Sequence, residues 1–437
     1  MTIGRRKRRQ QDSAYGSLRS ILEAARASAH LARHRPGVPP SPVLRSSLER
    51  EIARLRPAVE TLSRALHRRA ELSLEEFESA RLLTRFLKRE GFKIRRGAGG
   101  LRTAFIARKR LGRGGARVAF LAEYDALPGL GHACGHNLIG AASAGAGAAL
   151  ARALRGMPGE IVIVGTPAEE TIGGKVLMTE RGVFRGIDCA LMFHPSTENR
   201  VYTTSLACHS LQVTFHGRSA HAVSSPEKGI NALDALIRLF IDLHRLRHRL
   251  PREVRMPGVI IEGGKRANIV PDRAVGRFTL RARDLPTLSR VERRFREAVR
   301  AAARGTGAGS SIRSLDHPYA EMVTNRVLAD LFKKELRRLG RRTVDAPRKK
   351  MGSLDMGNVS QVVPSIHPYV AIAPHSVPLH SRDFARLAGG PRGRAGLRVA
   401  TRSLAMVGME VMSDHDTLQR ARREFDAFRK GVSRSRG

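Results

Sequence analysis

Acidic residues are scarce in this sequence: 39 Asp and Glu stand against 79 Lys and Arg, for a formal net charge of +40. Tryptophan is absent, and cysteine occurs three times, at Cys134, Cys189 and Cys208. Three cysteines are too few and too odd in number for a disulfide framework, so a reducing, cytoplasmic setting is expected. The basic N-terminus runs into Gln10-Gln11-Asp12-Ser13 rather than an apolar stretch, which argues against a secretory signal. The longest weakly polar run, Leu138 to Leu154, is mostly Ala and Gly and is broken by Arg152. It reads as a closely packed helix and not as a membrane span. The positive charge would attract nucleic acid or anionic membrane non-specifically. Yet no zinc-finger spacing, aromatic ribonucleoprotein strand or basic region with heptads accompanies it, so no specific nucleic-acid partner and no membrane partner are expected. Arginine is scattered along the chain and reads as a solvated basic surface, with Arg5 to Arg9 a solvated tail.

What is present is enough for a full core and two domains in 437 residues. Residues 1–45 hold a basic run, a short helical pattern from Leu18 to Leu31 and a proline-rich break, and are expected to be a poorly ordered extension. Amphipathic helices are predicted over about Leu48 to His67 and Leu74 to Glu90. Apolar runs then alternate with helices: Val118 to Leu121, a helix over about Asn137 to Leu154, Ile161 to Val164, a helix over about Lys175 to Arg181, and Cys189 to Phe193. Such continuous apolar runs predict a mostly parallel sheet covered by helices, an α/β domain over 46–205 and 318–437. Between them, 206–317 reads strand, helix, strand, strand, helix, strand, the order of a small α+β domain with one exposed sheet face. The larger domain resumes with a helix over about Asn325 to Leu339 and a strand over Tyr369 to Ile372. A helix over about Arg394 to Met412 is expected to end the fold.

Metal-capable residues fall just beyond the predicted strands, where ligands gather in open parallel sheets. Asp125, Cys134 and His136 follow the first, Glu169 and Glu170 the second, His194 the third, and His375 and His380 the last. Thiolate, imidazole and carboxylate together make shells suited to zinc, and a thiolate bridges two divalent ions. Such a centre polarises an amide carbonyl and acidifies a water, and a carboxylate outside the shell must then carry the proton to the leaving amine. The adjacent Glu169 and Glu170 allow that division of labour. Cys189 and Cys208 read as packing residues, and His244 and His248 as a solvated helix face.

Several motifs resemble one family. They are Tyr124 to Gly129 (YDALPG), His132 to Asn137 (HACGHN), Thr166 to Glu170 (TPAEE), Gly217 to Ala222 (GRSAHA), Gly229 to Asp234 and Ala267 to Pro271. Asp355 to Ser360, Ile366 to Tyr369 and His380 to Phe384 complete the set. The set resembles the dinuclear-metal amidohydrolases and carboxypeptidases: aminoacylases, indole-acetyl-amino-acid hydrolases and aminobenzoyl-glutamate hydrolases. The last two motifs are most similar to the branch holding the β-alanyl-lysine dipeptidase. The resemblance implies a zinc-peptidase-like catalytic domain with an inserted ferredoxin-like dimerisation domain. It also implies a homodimer, two zinc or manganese ions, and a small dipeptide or N-acyl amino acid as substrate. An aminobenzoyl-glutamate or auxin-type conjugate is the alternative substrate, and a degenerate basic scaffold or nucleic-acid-binding protein is the alternative of another class. By resemblance, Cys134 bridges the metals, His136, Glu170, His194 and His380 complete the shells, and Glu169 is the general base. Asp125 orients a ligand, His221 reaches the partner subunit's site to stabilise the oxyanion, and Asn268 and Arg281 contact substrate. His375 rivals His380, which the terminal His-Ser-x-x-Phe pattern favours. The chain departs from the pattern at Thr171-Ile172, where relatives carry more glycine or acidic character, and its basic extension has no counterpart in the family.

Overall fold

A computed structural model describes residues 41–344 and 352–434. The helical pattern from Leu18 to Leu31 lies outside them. The chain divides into two compact units: the described parts of 1–204, 322–349 and 358–437 form the first, and Ser205–Glu321 with 352–357 the second.

The first unit opens on α1 (Pro42–Arg69), which Ser41 caps by accepting a hydrogen bond from the Leu44 amide at 3.2 Å. Pro42 occupies the first turn, where its missing N–H costs nothing. After α2 (Phe77–Arg89) come β1 (Lys93–Arg96), β2 (Phe105–Gly112) and β3 (Arg117–Ala122), then α3 (His136–Ala153), β4 (Gly159–Gly165), α4 (Gly174–Glu180) and β5 (Cys189–Leu191). Strands β3, β4 and β5 pair in parallel, and Ser365–Ile366 (β11 in chain order) adds to β5, also in parallel. The sheet order is β1-β2-β4-β3-β5-β11. Its four apolar strands are parallel, as the continuous Val, Ile and Leu runs predict. The β1–β2 edge is antiparallel, an addition that the arginine-rich 93–112 stretch did not announce.

Two further expectations are corrected. The strand at Tyr369 (β12, Tyr369–Ala371) does not join this sheet; it pairs in parallel with β6 (His194–Ser196) as a separate two-stranded ladder. The fold also does not end at Met412, because after α7 (Arg326–Arg338), α8 (Arg382–Gly389) and α9 (Pro391–Ser413) a helix α10 (His415–Arg434) follows. Asp414 separates the last two, its carboxylate accepting from Thr417 Oγ1 and from the Asp416 amide.

Helix α3 explains how the site is held. Every residue from His136 to Ala151 is buried, and the helix packs on α1, α9 and β3. A Cβ at Gly145 would meet Val59 Cγ2 at 2.6 Å, and one at Gly147 would meet Ile163 Cδ1 at 2.3 Å. Small residues therefore let the helix sink between the α1 layer and the sheet, and larger ones would force it out. Its N-terminus is thereby fixed above the carboxyl end of β3.

The second unit is a four-stranded antiparallel sheet, β7 (Ala207–His216), β8 (Gly258–Glu262), β9 (Arg273–Ala282) and β10 (Gly309–Ser314), in the order β10-β7-β9-β8. Helices α5 (Ala232–Arg247) and α6 (Leu285–Thr306) connect it in the ferredoxin-like sequence. Val213, Phe215, Phe278, Leu239 and Phe295 are buried between sheet and helices. No helix of the described residues is long and apolar enough to cross a membrane.

Candidate metal centre

The site is built from four chain segments that end at one edge of the first unit. After β3 the chain carries Glu123 and Asp125, then turns through Gly135 into α3. Gly135 has φ of 81°, and a Cβ on it would meet Pro195 Cγ at 2.7 Å, so this turn admits only glycine. The turn delivers Cys134 and His136 together: one just before the helix, the other as its first residue.

Three overlapping sets of donor atoms converge there, each within 4.8 Å: Cys134 with His136 and His194; Cys134 with Glu170 and His380; and His136 with Glu169 and Glu170. Cys134 Sγ lies 3.3 Å from His194 Nε2 and 3.5 Å from His380 Nε2. Glu170 Oε1 lies 4.0 Å from His380 Nε2 and 3.9 Å from His136 Nε2. His380 is held with φ of 60°, its amide donating to Ala133 O at 3.1 Å. Non-glycine residues take that conformation at a cost and concentrate at functional sites. His375 is exposed and belongs to none of the three sets.

The far sides of the imidazoles are already engaged. His136 Nδ1 faces Asp125 Oδ1 at 2.9 Å, and His194 Nδ1 faces Pro195 O at 2.6 Å. A ring that donates from Nδ1 leaves the Nε2 lone pair for a cation, and such partners orient ligating histidines. Asp125 is itself gripped by Ser73 Oγ at 2.8 Å and the Glu170 amide at 3.0 Å. Burial opposes its ionisation, but His136 and these donors overcome that and hold the carboxyl down at about 2. Burial pushes the Cys134 thiol up and, with neighbouring His367 and His136, the His194 ring well below its ordinary range. His136 Nε2 and Glu170 Oε1 are buried without a hydrogen-bond partner. Buried polar atoms left open at the centre of a nitrogen, sulfur and oxygen donor set are what a divalent cation would satisfy, and the residues fit one.

His132, in the same loop, is turned away. Its Nε2 meets Leu66 O at 3.1 Å and its ring stacks on His67 at 6.0 Å, with burial first among the causes that lower it to about 3. Cys189 and Cys208 are buried within β5 and β7. His221, Asn268 and Arg281 lie in the second unit. His221 is exposed, and its Nδ1 accepts from the Val223 and Ser224 amides at 3.2 and 3.1 Å, which leaves Nε2–H as the donor. Ala222 N donates to Asn268 O at 3.0 Å, so these two segments run side by side. Arg281 Nη1 reaches Ser353 Oγ at 3.2 Å.

The sequence reading missed three buried charged residues around this loop. Glu123 Oε2 is 3.4 Å from His136 Nε2, and its other oxygen is paired with Lys175 Nζ. Glu76 accepts from the Ala168 amide at 2.8 Å and from Thr103 Oγ1 at 2.8 Å. Glu123 stood two residues before Asp125 at the end of an apolar run and shared its signal; Lys175, ahead of Val176-Leu177-Met178, and Glu76, in Glu75-Glu76, looked like ordinary charged residues at helix starts.

A two-unit α/β protein with such a donor cluster at the carboxyl edge of a parallel sheet is a candidate metal-dependent hydrolase. Comparison with known proteins carries this further. Residues 208–307 match the peptidase dimerisation domain. The Xaa-Arg dipeptidase of Mus musculus is 35% identical over 379 residues, covering 83% of this chain and 88% of that protein. A p-aminobenzoyl-glutamate hydrolase subunit of Escherichia coli is 32% identical over 291 residues, 62% of this chain and 60% of that one. Among solved structures, a dinuclear metal-binding peptidase of Bacillus subtilis superposes with a TM-score of 0.59 at 20% identity, over 81% of this chain and 99% of that one. The chain belongs to the M20 family of metallo-amidohydrolases, and it is a hydrolase of amide bonds.

Proposed function

We propose that the protein is a dinuclear metallodipeptidase of the cytoplasm that releases a basic C-terminal residue from a dipeptide. Three donor triads carry this reading, with Cys134, His136 and Glu170 each belonging to two of them, since shared donors are what two neighbouring ions require. Cys134, between the two ions, with His136, Glu170, His194 and His380 around them, would hold the pair. Two zinc or manganese ions in these shells would supply Lewis acidity and an acidified water. Glu169 takes the proton of the attacking water and returns it to the leaving amine. In the homodimer, His221 would reach the site of the partner subunit and offer its Nε2–H to the developing oxyanion, Asn268 would contact the substrate there, and Arg281 would hold a substrate carboxylate.

The 35% identical relative named Xaa-Arg dipeptidase, matched over most of both chains, supports the substrate class. A hydrolysis screen tests it, with Xaa-Arg and Xaa-Lys dipeptides, N-acyl amino acids and p-aminobenzoyl-glutamate, each with zinc, manganese and cobalt. The basic dipeptides should show the highest kcat/KM. Faster cleavage of p-aminobenzoyl-glutamate would move the assignment to the conjugate hydrolases.

The protein acts as a homodimer in this reading, assembled through the second unit. Strand β8 is the edge of its sheet and exposes Val259, Ile260 and Ile261 at 54, 44 and 50%. Unpaired edges with consecutive branched apolar side chains invite pairing with another strand. Replacing Ile260 by Asp should halve the mass found by light scattering while the melting curve stays cooperative. An unchanged dimer would place the interface elsewhere.

A further inference from the structure

The loop that carries Glu169 and Glu170 is closed on itself, and three buried carboxylates from earlier in the chain hold it. Gly174 N donates to Ala168 O at 3.2 Å and shuts the neck. A Cβ at Gly174 would meet Pro167 O at 1.9 Å, so the neck is tight. Glu76 grips one side of it through the Ala168 amide at 2.8 Å. Asp125 grips the tip through the Glu170 amide at 3.0 Å. The third hold is a side chain: Lys175, second residue of α4 and fully buried, sets its ammonium on Glu123. Glu123 is 2% exposed and turns its other oxygen to His136.

Burying an ammonium and a carboxylate is expensive, and here each compensates the other. A neutral apolar residue would anchor α4 at lower cost. Lysine at this point ties the start of α4 to the carboxyl end of β3, directly across from His136. We propose that Lys175, acting through Glu123, is a positioning residue: it fixes the distance of the Glu169–Glu170 loop from Cys134 and His136. Glu76 holds the opposite side of the same neck. The inference rests on Glu169 and Glu170 as base and ligand, since a loop with no such roles needs no fixed position.

The test compares Lys175→Met with the double variant Lys175→Met, Glu123→Gln, in the full-length metal-loaded protein. The single variant takes the ammonium from a buried carboxylate and should melt lower; the double variant removes that charge as well and should recover most of the melting temperature. Both should keep their metal content by mass spectrometry and lose about 10- to 100-fold in kcat with KM changed far less, because sub-ångström misplacement acts on the reacting geometry. With cobalt(II) in the site, the visible absorption bands of both variants should shift from those of the parent, an effect that a merely stabilising pair would not produce. Full kcat in the double variant, or in a folded single variant with an unshifted cobalt spectrum, would overturn the proposal. Glu169→Gln is measured alongside. If it too keeps full activity, the assignment of the base has failed; if it is inactive while the Lys175 variants are normal, only the positioning role has.

Discussion

Replacing Glu169 by Gln should leave the fold and the metal content intact while turnover falls by about three orders of magnitude or more. Glutamine keeps the size and the acceptor oxygen but cannot take a proton, so a ligand role and a base role separate cleanly. Glu169 stands within 4.8 Å reach of His136 and Glu170 but shares no set with Cys134, whereas Glu170 falls in two sets. That asymmetry supports the proposal that Glu169 is the carboxylate left for proton transfer. The checking measurements are steady-state kinetics on an Xaa-Arg dipeptide and metal analysis of the same sample. Loss of metal together with turnover would make Glu169 a ligand instead, and unchanged turnover would remove it from the reaction.

The second large effect concerns sulfur. Cys134→Ser should reduce metal retention after dialysis and abolish most activity, since a serine hydroxyl at neutral pH is a poor bridging anion. Cys189→Ser and Cys208→Ser should retain their metal and most of their turnover, because both thiols sit in strands as packing groups. Titration of free thiols before and after metal addition, alongside activity, checks all three. Full metal retention and turnover in Cys134→Ser would remove the thiol from the metal shell.

Much of this was legible in the residues. The runs Val118 to Leu121 and Ile161 to Val164 are buried, parallel and followed at once by donors, so strand period and chemistry agreed. The small-residue stretch after His136 could only be a close-packed helix. The second unit's strand and helix order followed from alternation and amphipathic spacing, signals that act locally. What failed to show was set by tertiary context. Lys93 to Arg96 form the edge strand β1 and Lys109-Arg110 belong to β2 beside it, and their basic side chains look like any solvated segment. Tyr369 to Ala371 reads as a sheet strand but pairs with the three residues at His194, because Ser365–Ile366 already occupies the sheet edge beside β5. Lys175 is the plainest case: nothing in a lysine reveals that it is buried, and the facing Glu123 carboxylate compensates its charge there.

The central claim is that the cluster around Cys134 is a dinuclear metal centre on which hydrolysis depends. Metal analysis of chelator-stripped and reconstituted protein, with dipeptide hydrolysis followed in the same samples, tests it most directly. Stripped protein should be inactive, and zinc, manganese or cobalt should restore hydrolysis as binding approaches about two ions per chain. Full hydrolysis by the stripped protein, or no uptake beyond what His136→Ala also takes up, would contradict it.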